Sequence, residues 1–523
     1  MDDAIRETIV RVNPWIVSLS VVSATFMEVL DTTVVNVSLP HIAGSMSASV
    51  EEATWTLTSY LVANAVILPL TGWLARYFGR KRLLAVAVSG FTAASFLCAL
   101  APNLATLILF RVIQGASGGT MQPLSQAIML ESFAPEDRGK AMAFWALCIV
   151  AAPIIGPVIG GWLTDTYGWR WVFYINIPVG ILSFILIRMF VFDPPYLRRP
   201  STRIDYWGIG LLALAMACLQ IFLGKGDQED WFTSDTITTV AVIAAVALIS
   251  FVIYELQVPN PVVNLRVFKL RTFSTGVLLI TVLGFVLYGS LVLLPIMLQT
   301  LLGYPSLQAG MAMAPRGLAS FIFLPIIGMM LARIGPRKML AFGFGATGIS
   351  LLWLGRLNLN LGYWDIFWPQ FIQGIATACL FVPLTTITMD PIPQEEMGNA
   401  TSIFNVLRNI GGSAGIAVSA TMLGRHRQMY DNILGSQVNP YSLGSQQTLS
   451  RLQAGFLAGG SDPATAAHRS YALEAYLVER QSSMLAFIDV FRLLGILFIL
   501  IIPLIWLMKP PRVRKRNAAP AGH

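Results

Sequence analysis

The sequence predicts an all-α polytopic membrane protein. Of its 523 residues, 55% are hydrophobic and only 12% are charged, whereas a globular chain carries about a quarter charged residues. Apolar stretches of transmembrane length recur along the whole chain, and most Lys and Arg residues lie in the segments between them. This composition excludes a disordered protein, a secreted disulfide scaffold and a typical cytosolic enzyme.

The apolar stretches give fourteen predicted transmembrane helices, because a spanning helix needs about 20 mainly apolar residues. The first is too long and too interrupted by charge to be a cleavable signal. In chain order the predicted spans are 14–39, 53–75, 82–101, 104–127, 141–164, 171–192, 205–224, 236–255, 273–299, 307–332, 338–356, 364–389, 397–423 and 485–508.

The basic residues orient these spans. With the N-terminus inside, most of the 35 Lys and Arg residues fall in segments that would be cytoplasmic. Cytoplasmic loops of membrane proteins are enriched in these residues. The pattern therefore predicts two cytoplasmic termini and an even number of spans. It also explains the net charge of +8 without a nucleic-acid partner.

The chain contains an internal repeat. Residues 72–84 and 328–340 both carry a Gly, then Ala-Arg, then a Gly and a basic pair, and the Ile-Gln-Gly at 113–115 recurs at 372–374. This repeat predicts two halves of six spans each. The expected organisation is a cytoplasmic N-terminus (1–13), a first six-helix bundle (14–192), an inserted helix pair with linkers (193–272), a second six-helix bundle (273–508) that includes an outer loop at 424–484, and a basic cytoplasmic C-terminus (509–523).

Charged residues inside the spans are the first candidates for function, since each costs roughly 2.5–3.5 kcal/mol at a helix centre on insertion scales. Glu28 and Asp31 share one face of the first span. Two carboxylates one turn apart in a low dielectric do not both ionise cheaply, so the pair is suited to taking up and releasing a proton. Arg111 lies in the fourth span with Gln114 on its face. A structural ion pair between Asp31 and Arg111 is the alternative interpretation.

Polar and aromatic residues in several spans are candidates for a substrate cavity at the membrane midplane. Amides and one Arg would line the cavity, and aromatic rings would stack on flat ligands. The candidates are Asn36, Tyr60, Asn64, Gln114, Gln126, Trp145, Gln373, Phe404, Asn405 and Arg408. The chain has no HExxH, GxSxG or Walker sequence. We therefore expect no catalytic residues, no metal and no cofactor.

Four stretches carry a resemblance to a known family: 30–40 (LDTTVVNVSLP), 107–119, 152–161 and 169–180 (WRWVFYINIPVG). Together they resemble the fourteen-helix drug:proton antiporter branch of the major facilitator superfamily, the EmrB/QacA type, over about residues 14–510. The resemblance implies the major facilitator fold and places the proton-coupling acid at Asp31 and its Arg partner at Arg111. It also implies a hinge or seal at the antiporter motif (Gly156, Pro157, Gly160 and Gly161) and a cytoplasmic loop motif (Gly72, Arg76, Gly79, Arg80 and Lys81). Arg76 stands where the family carries an acid, which puts the charge lock of that loop in doubt.

The function implied is proton-coupled efflux of amphipathic, hydrophobic or cationic toxic compounds across the bacterial inner membrane by alternating access. The proton gradient would drive it, with Glu28 assisting Asp31. The outer loop is expected to form helices at about 447–457 and 464–485 and is a candidate docking surface for a periplasmic adaptor (membrane fusion protein) and an outer-membrane channel. Two alternatives remain open: export of a native metabolite such as a siderophore or lipid, and a membrane sensor or scaffold that transports nothing.

Overall fold

A computed structural model describes residues 13–134, 136–193, 205–439 and 441–508. Within these ranges every regular element is a helix. The predicted cytoplasmic termini, apart from Asn13, lie outside the described residues.

The first half contains ten α-helices that cover the six predicted spans. Several spans are built from two consecutive helices; α3 and α4, for example, are joined by a 3₁₀ turn at Leu68–Leu70. The helices are α1 (Pro14–Ser45), α2 (Val50–Ala53), α3 (Trp55–Ile67), α4 (Thr71–Phe78), α5 (Arg80–Leu100), α6 (Leu104–Gly118), α7 (Met121–Ser132), α8 (Arg138–Tyr167), α9 (Trp171–Tyr174) and α10 (Asn176–Phe190).

The inserted pair and the second half follow. The inserted pair is α11 (Tyr206–Lys225) and α12 (Asp235–Gln257). The second half contains α13 (Arg271–Ile296), which continues as a π-helical turn at Met297–Leu301, then α14 (Ser306–Ile334), α15 (Pro336–Leu354), α16 (Tyr363–Met389), α17 (Met397–Gln437), α18 (Leu443–Ala458) and α19 (Pro463–Leu500), which continues as a 3₁₀ turn at Ile502–Leu507.

Eleven helical segments among the described residues are long and apolar enough to cross a membrane. The other three predicted spans fall on α6 with α7, on α15 and on α17. The fourth span is broken because α6 ends at Gly118 and α7 begins at Met121. Helix α17 is polar for a span because it carries Asn399, Asn405 and Arg408. The all-helical membrane fold is confirmed, and the count of fourteen spans stays a prediction.

The internal repeat is visible in the backbone. Gly79 has φ 85° and ψ 150°, and Gly335, at the matching place in the second half, has φ 85° and ψ 145°. A positive φ of this size favours glycine, which has no Cβ atom. Each glycine ends one helix and begins the next, so both halves turn their chain in the same way at the same point.

The two halves touch at the face that carries these basic turns, called here the basic face (residues 76–82 and 333–338). A Cβ atom on Gly72 would lie 2.7 Å from the Cα of Asn399, and one on Gly328 would lie 2.9 Å from the carbonyl oxygen of Gly139. These glycines are themselves a repeat pair. Their missing side chains let α4 approach α17 and let α14 approach α8, which closes the basic face.

The inserted pair contacts both halves near the opposite face. The ammonium of Lys225 lies 5.3 Å from the ring centroid of Trp55 on α3. The indole N–H of Trp231 donates to the hydroxyl of Thr421 on α17 over 2.8 Å. Trp231 and its neighbour Asp230 both have φ 54°, a conformation that costs non-glycine residues on the order of 1–3 kcal/mol each. Packing therefore holds this turn between the two halves.

Two helices near that opposite face are longer than a membrane span requires. Helix α17 has 41 residues and is therefore about 62 Å long at 1.5 Å per residue, about twice the hydrocarbon core. Helix α19 begins at Pro463, so the last span and the helix predicted at 464–485 are one continuous rod. Helix α18 covers the stretch predicted at 447–457. It packs on α19 through a 2.8 Å hydrogen bond from Ser445 to Glu474.

Candidate functional site

Asp31 is the centre of a buried polar network in the first half. Its side chain is completely buried on α1. One carboxylate oxygen accepts a 2.6 Å hydrogen bond from Arg111, and the other accepts from Gln114 at 3.0 Å and from Asn176 at 2.7 Å. Three donors on two other helices suit the ionised acid. The ion pair between Asp31 and Arg111, the alternative weighed from the sequence, is therefore present.

Arg111 is held on several sides. Its Nε donates to the backbone carbonyl of Thr56 over 3.0 Å, and its Nη1 also lies 2.8 Å from Gln114 Oε1. The guanidinium carbon lies 4.2 Å from the centroid of the Tyr60 ring. Because both charges of the pair are fully buried, removing one would leave the other uncompensated, which typically costs about 3–5 kcal/mol. The pair is stable only while both groups stay charged.

Asn176 was not among the residues selected from the sequence. It begins α10 and is almost completely buried, and its amide donates to Asp31 and to the hydroxyl of Ser95 over 3.0 Å. An uncharged residue lacks the high cost of a charge inside a membrane span, which is what marked Asp31 and Arg111 for function. The one available indication was its place inside the 169–180 motif.

Glu28 lies one turn before Asp31 but has different neighbours. Its side chain is also buried, and one carboxylate oxygen accepts a 2.9 Å hydrogen bond from Asn64. The other oxygen has no hydrogen-bond partner among the described residues. Arg408 of the second half and Gln122 of α7 both interact with this carboxylate. Asp31 is thus saturated within the first half, whereas Glu28 faces the seam between the halves.

The seam is hydrogen-bonded between α7 and α17. Arg408 donates to Gln122 over 2.6 Å, and Asn405 donates to Gln126 over 2.6 Å. Gln126, Asn405 and Arg408 were predicted as cavity residues, and these contacts bring them together. Gln122 was not selected, although it is polar and lies in the same predicted span. These bonds cross between the halves, so they must break when the halves separate here.

Several buried polar atoms of Glu28 and of the predicted cavity residues have no hydrogen-bond partner in the part of the chain that the structure describes. Buried polar groups in native proteins are bonded in roughly 90% of cases or more, so such a set is unusual and offers bonding positions for a ligand or water. The atoms are Glu28 Oε2, Tyr60 Oη, Gln126 Nε2, Trp145 Nε1, Gln373 Nε2, Asn405 Oδ1 and Arg408 Nε. Phe404 is buried as well, whereas Asn36 is exposed.

The second half carries a neutral counterpart of the acid network. Gln370 stands at the place of Arg111, and its amide lies 3.5 Å from Gln373. The backbone packing is the same in both halves. A Cβ atom on Gly115 would lie 2.3 Å from the carbonyl oxygen of Tyr60, and one on Gly374 would lie 2.3 Å from that of Arg316. The repeat therefore preserves the helix contact, whereas the uncharged Gln370 takes the place of Arg111 in the second half.

Comparison with known proteins identifies this architecture. Residues 21–416 match the family model of the Major Facilitator Superfamily. The chain belongs to this superfamily. It is therefore a multi-pass membrane transporter and not a catalytic enzyme.

Relatives within the superfamily support the narrower resemblance to its EmrB/QacA branch. The chain is 40% identical to the multidrug export protein EmrB of Haemophilus influenzae, over 95% of this chain and 96% of that protein. It is 37% identical to the fatty acid resistance protein FarB of Neisseria gonorrhoeae over the same shares. The human organic anion transporter MFSD10 is similar in fold, with a TM-score of 0.60 and 15% identity, over 93% of this chain and 99% of that one.

The antiporter motif of this superfamily member brings α8 against α1. A Cβ atom on Gly156 would lie 2.0 Å from Thr33 Oγ1, and one on Gly160 would lie 3.0 Å from the carbonyl oxygen of Val34. Gly161 has nothing closer than 4.0 Å, and Pro157 is exposed. Two of the three glycines therefore permit the close approach of the helix that carries Asp31.

The loop motif is anchored without the family's usual acid. Arg80 is buried and forms an ion pair with Glu131 at the end of α7. The backbone N–H of Lys81 donates to Asp193 over 2.9 Å. Arg76, which replaces the acid, is half-buried. Gly72 packs closely against α17. The basic face therefore closes through backbone packing, although Arg76 stands where the family carries an acid.

Proposed function

We propose that this transporter exports amphipathic toxic compounds in exchange for protons, with Asp31 as the proton carrier, Arg111 as its resetting partner and Glu28 as an assisting acid. One observation carries this proposal: Asp31 and Arg111 form a fully buried ion pair, and an uncharged residue, Gln370, takes the place of Arg111 in the second half. The names of the EmrB relatives support the export of drugs. The driving force would be the proton gradient across the inner membrane, with both termini cytoplasmic.

Protonation would act through the balance of this ion pair. A proton on Asp31 removes the negative charge and leaves Arg111 as an uncompensated buried cation, which is unfavourable by several kcal/mol. The first half then gains stability by moving until Arg111 finds water or another acceptor. Since α1 also carries Glu28 at the seam, this movement would reach the contacts of Arg408 and Gln122. Loss of the proton on the other side would restore the pair.

The substrate would bind at the seam. Glu28 provides a carboxylate with one free oxygen, which attracts a cationic group. The unbonded indole N–H of Trp145 and hydroxyl of Tyr60 offer polar contacts beside aromatic surface. A binding site built from mixed polar and aromatic groups accepts varied amphipathic molecules.

A second candidate function is the export of an anionic amphiphile such as a fatty acid. Arg408 is buried and has no carboxylate within 4 Å among the described residues, so it could receive a substrate carboxylate. The name of the FarB relative supports this reading. Competition separates the two candidates, because a fatty acid should slow the export of a cationic dye only if both occupy the seam.

Flux in proteoliposomes with an imposed pH gradient tests the coupling. We expect Asp31→Asn to bind a cationic dye normally but to lose gradient-driven flux, while Glu28→Gln retains part of it. Asp235→Asn is the matched control, because Asp235 is an exposed acid at the start of α12. Gradient-driven flux that survives in Asp31→Asn would exclude Asp31 as the carrier. Absence of flux in the wild type across a broad panel of dyes would favour a narrow native substrate, a missing adaptor or a sensor.

We further propose that the extension of α17, α18 and α19 docks a periplasmic adaptor of a tripartite pump. Its support is a set of exposed apolar residues outside the predicted membrane region: Tyr441 is 95% exposed, Leu443 70% and Tyr471 62%. Tyr471→Ser should lower efflux in cells and leave flux in proteoliposomes unchanged. An equal loss in both assays would contradict docking.

A further inference from the structure

A surface cavity of about 580 Å³ lies between the end of α15 and the start of α16, on the opposite face from the basic turns. Its lining is apolar on one side and polar or charged on the other. Ile349, Leu352 and Trp353 line one part, and Arg356, Asn358 and Asp365 line the other. From Ile349 to Leu354, the end of α15, the helix rises by about 8 Å. The cavity therefore has an apolar wall beside the last turns of α15 and a charged rim, formed by Arg356, Asn358 and Asp365, beyond the end of that helix.

The cavity lies in an aromatic belt. Trp364 is 63% exposed and Trp368 48%, and both lie near the start of α16. Exposed Trp residues of membrane proteins concentrate at the level of the lipid headgroups. The charged rim of the cavity therefore lies where phospholipid headgroups lie, and its apolar wall lies where acyl chains begin.

The two opposite charges at the rim are not used by the protein. The side chain of Arg356 makes no hydrogen bond or ion pair with any residue in the described ranges, although its backbone N–H donates to the carbonyl of Trp353. Asp365 accepts one hydrogen bond, from the backbone N–H of Gly362 to Oδ2 over 2.8 Å, which leaves its other oxygen free. Both side chains line one cavity without being within 4 Å of each other. A ligand with both charges would complement them.

We propose that this cavity binds the headgroup of a zwitterionic phospholipid with a primary ammonium, of the phosphatidylethanolamine type. Arg356 contacts the phosphate, for which the guanidinium fork is well suited, and Asp365 receives the ammonium. The amide of Asn358 lies beside them, and one acyl chain follows Ile349 and Leu352 into the membrane. This site is independent of the proposed proton coupling, since none of the residues proposed for that coupling lines the cavity.

Native mass spectrometry of the full chain tests the proposal, with dioleoyl phosphatidylethanolamine, phosphatidylcholine and phosphatidylglycerol as probes. We expect the wild type to bind phosphatidylethanolamine more tightly than the other two lipids. Arg356→Ala should weaken this binding about tenfold, the effect expected for loss of a charge-assisted hydrogen bond. Asp365→Asn keeps an acceptor for Gly362 and should abolish the preference over phosphatidylglycerol. Arg451→Ala, at an exposed Arg of α18, is the matched control.

Three results would overturn the proposal. Equal binding of all three lipids by the wild type would show that the headgroup is not recognised. Arg356→Ala behaving as Arg451→Ala would place any recognition elsewhere. Equal displacement by soluble glycerophosphoethanolamine would show that the site needs no lipid surface. Because Arg356 and Asp365 are exposed, neither variant should impair folding, and a thermal unfolding curve of each checks this.

Discussion

Replacing Gly156 by Ala is the sharpest test of the packing between α1 and α8. The new Cβ atom would lie 2.0 Å from Thr33 Oγ1 and 2.8 Å from Thr33 Cβ. Rotating the Thr33 side chain relieves the first contact but not the second, because Cβ is fixed to the α1 backbone. Carbon atoms pack best at about 3.5–4.0 Å, so the two helices must separate by about 1 Å.

Overpacking of this kind typically costs about 1–3 kcal/mol, and it displaces the helix that carries Asp31. We expect Gly156→Ala to lower the stability of the purified protein by that amount and to reduce efflux. Gly161→Ala is the matched control in the same motif. Its nearest neighbour is Val37 Cγ1 at 4.0 Å, and Ala favours a helix more than Gly does, so this variant should be neutral or slightly more stable.

Equilibrium unfolding in mixed detergent micelles gives the stabilities, and dye efflux from cells gives the activity. Adding Thr33→Ala to Gly156→Ala removes the closer contact and should recover part of both losses. The reasoning fails if Gly161→Ala is as damaging as Gly156→Ala. It also fails if Thr33→Ala recovers nothing, because the loss would then not arise between these two helices.

Three further changes have defined outcomes. Asn176→Ala removes a hydrogen bond to the charged Asp31, worth about 1.5–3 kcal/mol, and should lower the maximal efflux rate about tenfold without weakening drug binding; an unchanged rate would make Asn176 irrelevant to Asp31. Trp231→Phe keeps an aromatic side chain but loses the N–H bond to Thr421. A double-mutant cycle of Trp231 and Thr421, measured by equilibrium unfolding, should give a coupling free energy of about 0.5–1.5 kcal/mol. A coupling of zero would refute that contact. Asn399→Ala removes two 3.0 Å hydrogen bonds to the backbone before α13 and should cost about 1–3 kcal/mol in the same assay; a stability equal to the wild type would argue against this anchor.

Local sequence predicted the helical fold, the buried charged residues and the repeat of this protein. Apolar runs predicted the helical membrane fold because a span must bury its backbone polar groups within itself. Asp31 and Arg111 stood out because a charge in hydrocarbon is costly and therefore rare. The similarity of residues 72–84 to residues 328–340 predicted a repeat. Gly79 and Gly335, at matching positions in the two stretches, have the same φ angle. Each of these signals lies in a short stretch of chain.

The ends of the helices near the extension of α17, α18 and α19 were predicted less well. A drop in hydrophobicity at about 424 predicted the end of the thirteenth span, yet α17 continues as an unbroken helix to Gln437. The helix predicted at 464–485 and the span predicted at 485–508 are likewise parts of one helix, α19. Hydropathy reports the surroundings of a helix and not its backbone. A helix that leaves the membrane changes its side chains from apolar to polar without changing its hydrogen bonds.

The sequence by itself determined which residues bear charge, where the helices run and that the chain repeats. Only the tertiary structure decided which of these residues meet. Glu28 and Asp31 share one helical face, but Asp31 meets Arg111 and Asn176, whereas Glu28 meets Asn64 and the seam. Helical spacing fixes neighbours along one helix over a few residues. Contacts between residues 80 to 145 positions apart depend on how whole helices cross, and that is set by the packing of all of them together.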